Sequence, residues 1–326
     1  MRLLSRSFAL LISLVFSAAA CAQAWPQGKA ITLLVGYPPG GGTDMVARTI
    51  GDALGKRLGA TVVIENTGGA GGTIAGQKAV SAAPDGYTLL LGTGSEVSIA
   101  RLFNSAVRYN GETDLSHIGL IGVTPMVLLA GPKAGVKTLD EAITKSKQEP
   151  KRYSFAYAGV GTPLHISGEL LNMIAGSSIR HVPYRGAAQQ LQDLLGGNIE
   201  YSISVLTSAM PHIESGKVIP LAVTTAQRAR IAPNVPAMAE HPKLKGYDMN
   251  VWYGLFGPAK MPAPMITRLN KELADVLRDP EVWRKLQANG ISNDGGSPAQ
   301  LSSFIKAETA RVRSVITRAI VSGSAS

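Results

Sequence analysis

Short apolar runs alternate with amphipathic stretches from residue 31 onward, and this alternation most narrows the folds open to the chain. Ile31-Thr-Leu-Leu-Val35 reads as a strand, and Val46, Ile50, Leu54 and Leu58 then recur at every fourth position, as on one buried helix face. Strands at 61–64 and 87–91 enclose a helix at 73–80. Further strands are expected at 125–129, 153–157, 179–182, 199–205 and 218–223, with helices at 138–147, 164–175, 187–195 and 207–214. Beyond Pro233, Pro236 and Pro242, a strand at 251–256 precedes helices at 264–278, 280–289 and 298–319. Strands separated by helices build βαβ units around a mostly parallel sheet. The 326 residues suffice for two domains at about 100–200 residues each, so the expected class is α/β with two domains, each a mostly parallel sheet flanked by helices. The sequence carries no repeat and no low-complexity tract.

Composition narrows the function. With 17% charged and 45% hydrophobic residues the chain is neither poor in apolar residues nor rich in charge, which excludes a disordered tail. One cysteine excludes a disulfide-stapled scaffold. The segment 1–24 carries Arg2 and Arg6, an apolar core at 8–16 and a small-x-small ending at Ala22-Gln23-Ala24, the pattern of a secretory signal peptide. A membrane anchor needs about 20 apolar residues, and Pro26, Gln27, Gly28 and Lys29 arrive too early for that. Cleavage is expected after Ala24, giving a periplasmic product; lipidation at Cys21 competes, with Ala18 and not Leu three residues before it. Cleavage would lower the formal charge from +10 to +8 and remove the only thiol.

Two strand-to-helix loops suit an anion. The first is Tyr37-Pro38-Pro39-Gly40-Gly41-Gly42-Thr43-Asp44, placed where open α/β sheets bind ligands. Its glycines let backbone N–H groups approach a ligand, Thr43 can cap the following helix, and the helix dipole favours negative charge. The same residues equally suit a plain tight turn with a capped helix, with Asp44 part of the cap. The second loop, Gly159-Val160-Gly161-Thr162-Pro163-Leu164-His165, repeats the physics, with Pro163 in the first helical turn and His165 as a first-turn packing residue or a ligand contact. Arg185, in Val182-Pro-Tyr-Arg-Gly186, is a third candidate, or else a solvated surface arginine.

Motifs for other chemistry are missing. No G-x-G-x-x-G follows a strand, since Val97 stands where the third glycine belongs after Gly92 and Gly94. No serine lies in G-x-S-x-G. The five histidines have no zinc-site spacing, so no metal is expected. Basic residues form no run interleaved with aromatics, which argues against nucleic acid. No nucleophile–base–orienter set supports the competing reading, a periplasmic hydrolase.

Taken in order, these motifs resemble a known family. Leu33 through Arg48, Val63-Ile-Glu-Asn66 with Gly69-Ala-Gly-Gly72, Pro84 through Leu89, Gly159 through His165, His181-Val-Pro-Tyr-Arg-Gly186 with Asp193 through Gly197, Val235-Pro236 with Glu240, and Trp252 through Pro258 are similar to the solute receptors of tripartite tricarboxylate transporters, the Bug family. The resemblance implies a type II, Venus-flytrap periplasmic binding protein, with domain I at 25–124 plus 247–326 and domain II at 125–246. It implies a monomer without cofactor or catalytic activity that passes a small carboxylate to an inner-membrane permease; a receptor feeding a sensor kinase is the other reading. By the same resemblance, Tyr37, Pro39, Gly40, Gly41, Gly42 and Thr43 hold one carboxylate together with Gly159, Gly161, Thr162 and Pro163, largely through backbone N–H groups and ordered water. Ser95, Arg185, Ser204 and Thr207 would meet the far end. The chain departs from the family pattern at Thr67-Gly68, where Arg-Pro is common, and at Val312, where a tryptophan is common. A third departure is Ser204-Val205, where many members have Asp-Asn, and it argues against an amino-acid ligand.

Overall fold

The computed structural model describes residues 25–321 except 185, 293 and 294, so the expected signal peptide and Arg185 lie outside the described residues. The strands are β1 (Ile31–Val35), β2 (Val62–Asn66), β3 (Thr88–Thr93), β4 (Leu115–Ala130), β5 (Ser154–Ala158), β6 (Arg180–Tyr184), β7 (Tyr201–Val205), β8 (Ile219–Val223) and β9 (Asn250–Pro258). The helices are α1 (Gly42–Leu58), α2 (Thr73–Val80), α3 (Ala100–Phe103), α4 (Leu139–Gln148), α5 (Pro163–Ala175), α6 (Ala187–Gly196), α7 (Leu206–Glu214), α8 (Ala263–Arg278), α9 (Pro280–Ala288) and α10 (Pro298–Val321). Each expected element is present, with ends shifted by a few residues. A segment not anticipated is the first part of β4, residues 115–124, where Gly119 and Gly122 interrupt the apolar pattern and the pairing with β9 shifts register.

The strands lie in the order β2-β1-β3-β9-β4-β7-β5-β6, with β8 also on β4. The long β4 therefore belongs to two half-sheets: residues 115–125 pair with β9, and Met126–Ala130 pair with β7 and β8. In each wound corner the order is parallel, with β1 between β2 and β3, and β5 between β6 and β7. The joining strands run antiparallel, β9 against β3 and β4, and β4 against β7 and β8, because the chain crosses between the halves on β4 and returns on β9.

Core packing follows from the strand compositions. Ile31, Leu33, Leu34 and Val35 are all buried, as in a strand covered on both faces. Val46, Ile50, Leu54 and Leu58 of α1 lie in the same cluster as Ile31, Leu33 and Val35. Phe155 and Tyr157 of β5 and Ile166 and Leu171 of α5 do the same in the second half. Both wound corners send their strand ends into a glycine turn and then a helix, at 36–42 and 159–163.

Candidate ligand-binding site

The first turn leaves β1 and enters α1. Gly40 is left-handed at φ +83°, a conformation glycine adopts without steric cost, and Gly41 is extended and occupies the N-cap position. Thr43, expected as the cap, instead lies inside the first helical turn. Asp44 closes the turn: its Oδ2 accepts the Gly40 N–H at 2.9 Å and the Arg48 Nε–H at 2.9 Å. Its Oδ1 accepts from Arg48 Nη2 and from Asn66 Nδ2, which also donates to the Tyr37 carbonyl at 3.0 Å. Burial alone would raise the Asp44 carboxyl, but these donors hold it below its ordinary value. The N–H groups of Gly42, Thr43 and Asp44 have no helical carbonyl behind them.

The second turn repeats this geometry with different chemistry. Gly161 is left-handed at φ +73°, and Thr162 is extended and caps α5, its Oγ1 accepting the His165 N–H. The Thr162 hydroxyl donates back to the Gly159 carbonyl at 2.8 Å, and Pro163 takes the first helical position. The Gly161 N–H donates to His165 Nδ1 at 3.3 Å, four residues on, as Gly40 does to Asp44. The Gly159 N–H donates to the Tyr184 carbonyl. Gly159 and Gly161, expected to offer N–H groups to a ligand, thus spend them on Tyr184 of β6 and on His165, so amides for an anion on this side must come from Val160, Thr162 and Leu164.

Behind the second turn sit Glu169 and His181. His165 Nε2 is 3.5 Å and His181 Nδ1 3.2 Å from the same oxygen, Glu169 Oε1. The His181 contact is off the line of a straight hydrogen bond, and Glu169 Oε2 has no hydrogen-bond partner. Burial, with the nearby His165, keeps His181 neutral, near pKa 4, against the pull of Glu169. Among the described residues these three form the group that could gather round a cation. Asn172 opposes that use. Its Oδ1 accepts from the Ile179 N–H and its Nδ2 donates to the Ile179 carbonyl, which orients the amide so that Nδ2 faces His181 Nε2 at 3.1 Å. Nε2 must then accept, so the His181 proton sits on Nδ1, toward Glu169, where a metal would need a lone pair.

Ser95 joins the second turn to the 69–72 loop that follows β2. This fully buried residue opens a wide helical turn, Ser95–Ile99, and its hydroxyl donates to the Gly71 carbonyl at 2.6 Å and lies 3.4 Å from the Gly161 carbonyl. From the other side the Tyr37 hydroxyl reaches Gly71 O at 3.4 Å, Thr93 Oγ1 at 3.2 Å and Glu96 Oε2 at 3.4 Å. Glu96 is 2% exposed; Oε1 accepts the Thr93 N–H at 2.8 Å, and Oε2 accepts the Thr93 hydroxyl at 2.6 Å. Burial raises this carboxyl to about 7, against the hydrogen bonds that would lower it. Burial also raises the Tyr37 and Tyr253 phenols, with Glu96 adding to both.

Other expected residues are placed differently. Pro39 is exposed on the first turn. Ser204 is buried, its hydroxyl bonded to Gln190 and Ser202 under α6, so it packs inside the second half-sheet. Thr207 is half-buried on α7, beside Gly290. Sequence reasoning missed Asn66, Gly71, Thr93, Glu96, Glu169, His181 and Tyr253. Glu169 alone had a local signal, four residues after His165 and so on the same helix face. A hollow of about 440 Å³, lined by residues that include Gly131, Pro132, Leu195 and Lys217, lies at the amino end of β7, the sheet edge opposite both turns.

The chain is similar to known proteins over most of its length. The model of the tripartite tricarboxylate transporter family receptor matches residues 46–320. Protein BugT of Bordetella pertussis is 32% identical over 292 residues, covering 88% of each chain. Among solved structures, Rpa4515 of R. palustris with adipate has a TM-score of 0.85 at 32% identity, covering 91% of this chain and 98% of that one. MatC (Rpa3494) from Rhodopseudomonas palustris with bound malate has a TM-score of 0.79 at 30% identity, covering 88% and 98%.

Proposed function

The chain belongs to the tripartite tricarboxylate transporter receptor family, and on that premise we propose that it is a periplasmic receptor which captures a small carboxylate between its two half-sheets and hands it, unaltered, to a tripartite membrane permease. The observation that carries the reading is that Ser95 joins the second glycine turn, at Gly161, to the Gly71 loop, whose carbonyl the Tyr37 hydroxyl reaches from the start of the first turn. Free amides of Gly42, Thr43 and Asp44 on one side and of Val160, Thr162 and Leu164 on the other suit an anion, as helix starts do. Adipate and malate, held by two relatives of the same fold, set the ligand class to test first. Three or four charge-assisted hydrogen bonds at about 1.5–3 kcal/mol each give roughly 8 kcal/mol, near micromolar affinity before the costs of association.

In this reading 25–124 plus 247–326 and 125–246 are lobes that close by bending where β4 and β9 cross between them. Residues 1–24 are the export signal, cleaved after Ala24, and the mature chain acts as a monomer. No helix among the described residues is long and apolar enough to cross a membrane.

Native mass spectrometry of the mature protein, then calorimetric titration with adipate and malate, tests the proposal. Binding should weaken at least tenfold in Gly41→Val, where the extended backbone accepts a branched side chain and the first added carbon meets only Pro38 O at 3.8 Å. Undiminished affinity in that variant removes the first turn from the site. Conversion of either acid to a product would show an enzyme instead.

A further inference from the structure

The two ligand turns share one device, and only one of them builds it from a permanent charge. In each, the left-handed glycine before the cap donates its N–H to the third residue of the helix: Gly40 to Asp44, Gly161 to His165. In each, that acceptor meets a side chain one helical turn further on, Arg48 at Asp44 and Glu169 at His165, and the next strand supplies Asn66 to Asp44 directly and His181 to Glu169. Asp44 accepts in any orientation because both its oxygens carry lone pairs. His165 accepts at Nδ1 only if the ring proton is on Nε2, and imidazole has no strong preference of its own.

We propose that Glu169 is the positioning residue of the second ligand turn: by standing 3.5 Å from His165 Nε2 it holds the ring proton there, which leaves Nδ1 free to accept the Gly161 N–H and fix the turn that closes on Ser95. Glu169 never touches the ligand in this assignment, which rests on the carboxylate-binding reading above; it acts through His165. His181 serves the same end from β6. With Nε2 saturated by Asn172, its Nδ1 lies 3.2 Å from Glu169 Oε1 and packs against that carboxylate from the strand side. Tyr157 stacks on the His165 ring at 4.8 Å, with its phenol pushed up to about 12 by burial and by Glu169.

The test combines a spectroscopic and a binding readout on the mature protein. Nitrogen-15 NMR of the histidine rings should show His165 neutral with its proton on Nε2, and His181 neutral with its proton on Nδ1. Glu169→Leu should lose the His165 bias and weaken adipate or malate binding about tenfold, the effect of one hydrogen bond to the turn. Adding His165→Asn to Glu169→Leu should restore binding, because an amide oxygen four residues on can take the Gly161 N–H as Asp44 takes that of Gly40; a purely structural loss would not be rescued. The proposal is overturned if wild-type His165 carries its proton on Nδ1, if Glu169→Leu binds as tightly as wild type, or if the second substitution rescues nothing. Should Glu169→Leu not fold, Glu169→Gln and the wild-type ring spectrum decide. If wild type binds neither acid, the receptor reading fails, while the ring spectrum still decides the placement of the proton.

Discussion

Glu96→Gln should make the protein more stable above neutral pH and leave it unchanged in acid. The carboxyl is 2% exposed, and a β-carbon on Gly72 would come within 2.9 Å of its Oε2, so water has little room to solvate the charge. Burial shifts it from the ordinary 4.5 to about 7. At 1.36 kcal/mol per pKa unit the difference is worth about 3 kcal/mol. Because the folded-state value lies above the unfolded one, the folded chain holds the proton more tightly. That stabilisation is complete below about pH 4.5 and is lost as pH rises through 7. Glutamine keeps an oxygen for the Thr93 N–H and presents an amide to the Thr93 and Tyr37 hydroxyls, each able to accept. Urea unfolding followed by the fluorescence of Trp25, Trp252 and Trp283, run at half-unit steps from pH 4.5 to 8, measures the difference between variant and wild type. It should grow from near zero to about 3 kcal/mol in favour of the variant. A difference that stays constant over that range, or that favours wild type at pH 8, refutes the reasoning that Glu96 is buried as a costly charge.

Two further substitutions probe the packing that holds the turns. Gly168→Ala lies in the middle of α5, where alanine usually gains about 1 kcal/mol over glycine, yet its β-carbon would fall 1.9 Å from Phe155 Cζ; we expect a net loss of about 1–3 kcal/mol in urea unfolding, and a stabilised variant would show that Phe155 moves freely. Tyr247→Phe removes a buried hydroxyl that donates to the Ser167 carbonyl at 2.6 Å and meets the Ser167 hydroxyl; a loss of about 1–3 kcal/mol by the same measurement is expected, and no loss would mean that water replaces the phenol.

The fold was legible because its signal is local. Four-residue spacing on α1, the apolar runs of β1, β3 and β5, and Thr162-Pro163 at the head of α5 each mark one element within a short window. The first ten residues of β4 were not legible, since their partner β9 lies more than 120 residues away and two glycines break the alternation. The turns themselves were visible as glycine-rich strand-to-helix joints. Which N–H groups they keep was not, because the acceptors Asp44 and His165 work only after a helical turn brings them back over Gly40 and Gly161. Ser204 stands in a segment that reads as site-facing, yet its hydroxyl is bonded inside the half-sheet to Gln190 of α6 and to Ser202.

What the order of residues determined on its own is the set of strands, helices and turns, and the family they compose, because periodicity, glycine and proline act over a few bonds. What tertiary structure alone decided is the meeting of Tyr37, Gly71, Ser95 and Gly161, and the burial of Glu96 behind them. A charge becomes costly, and a carbonyl finds its donor, only when segments distant in sequence exclude water from the space between them.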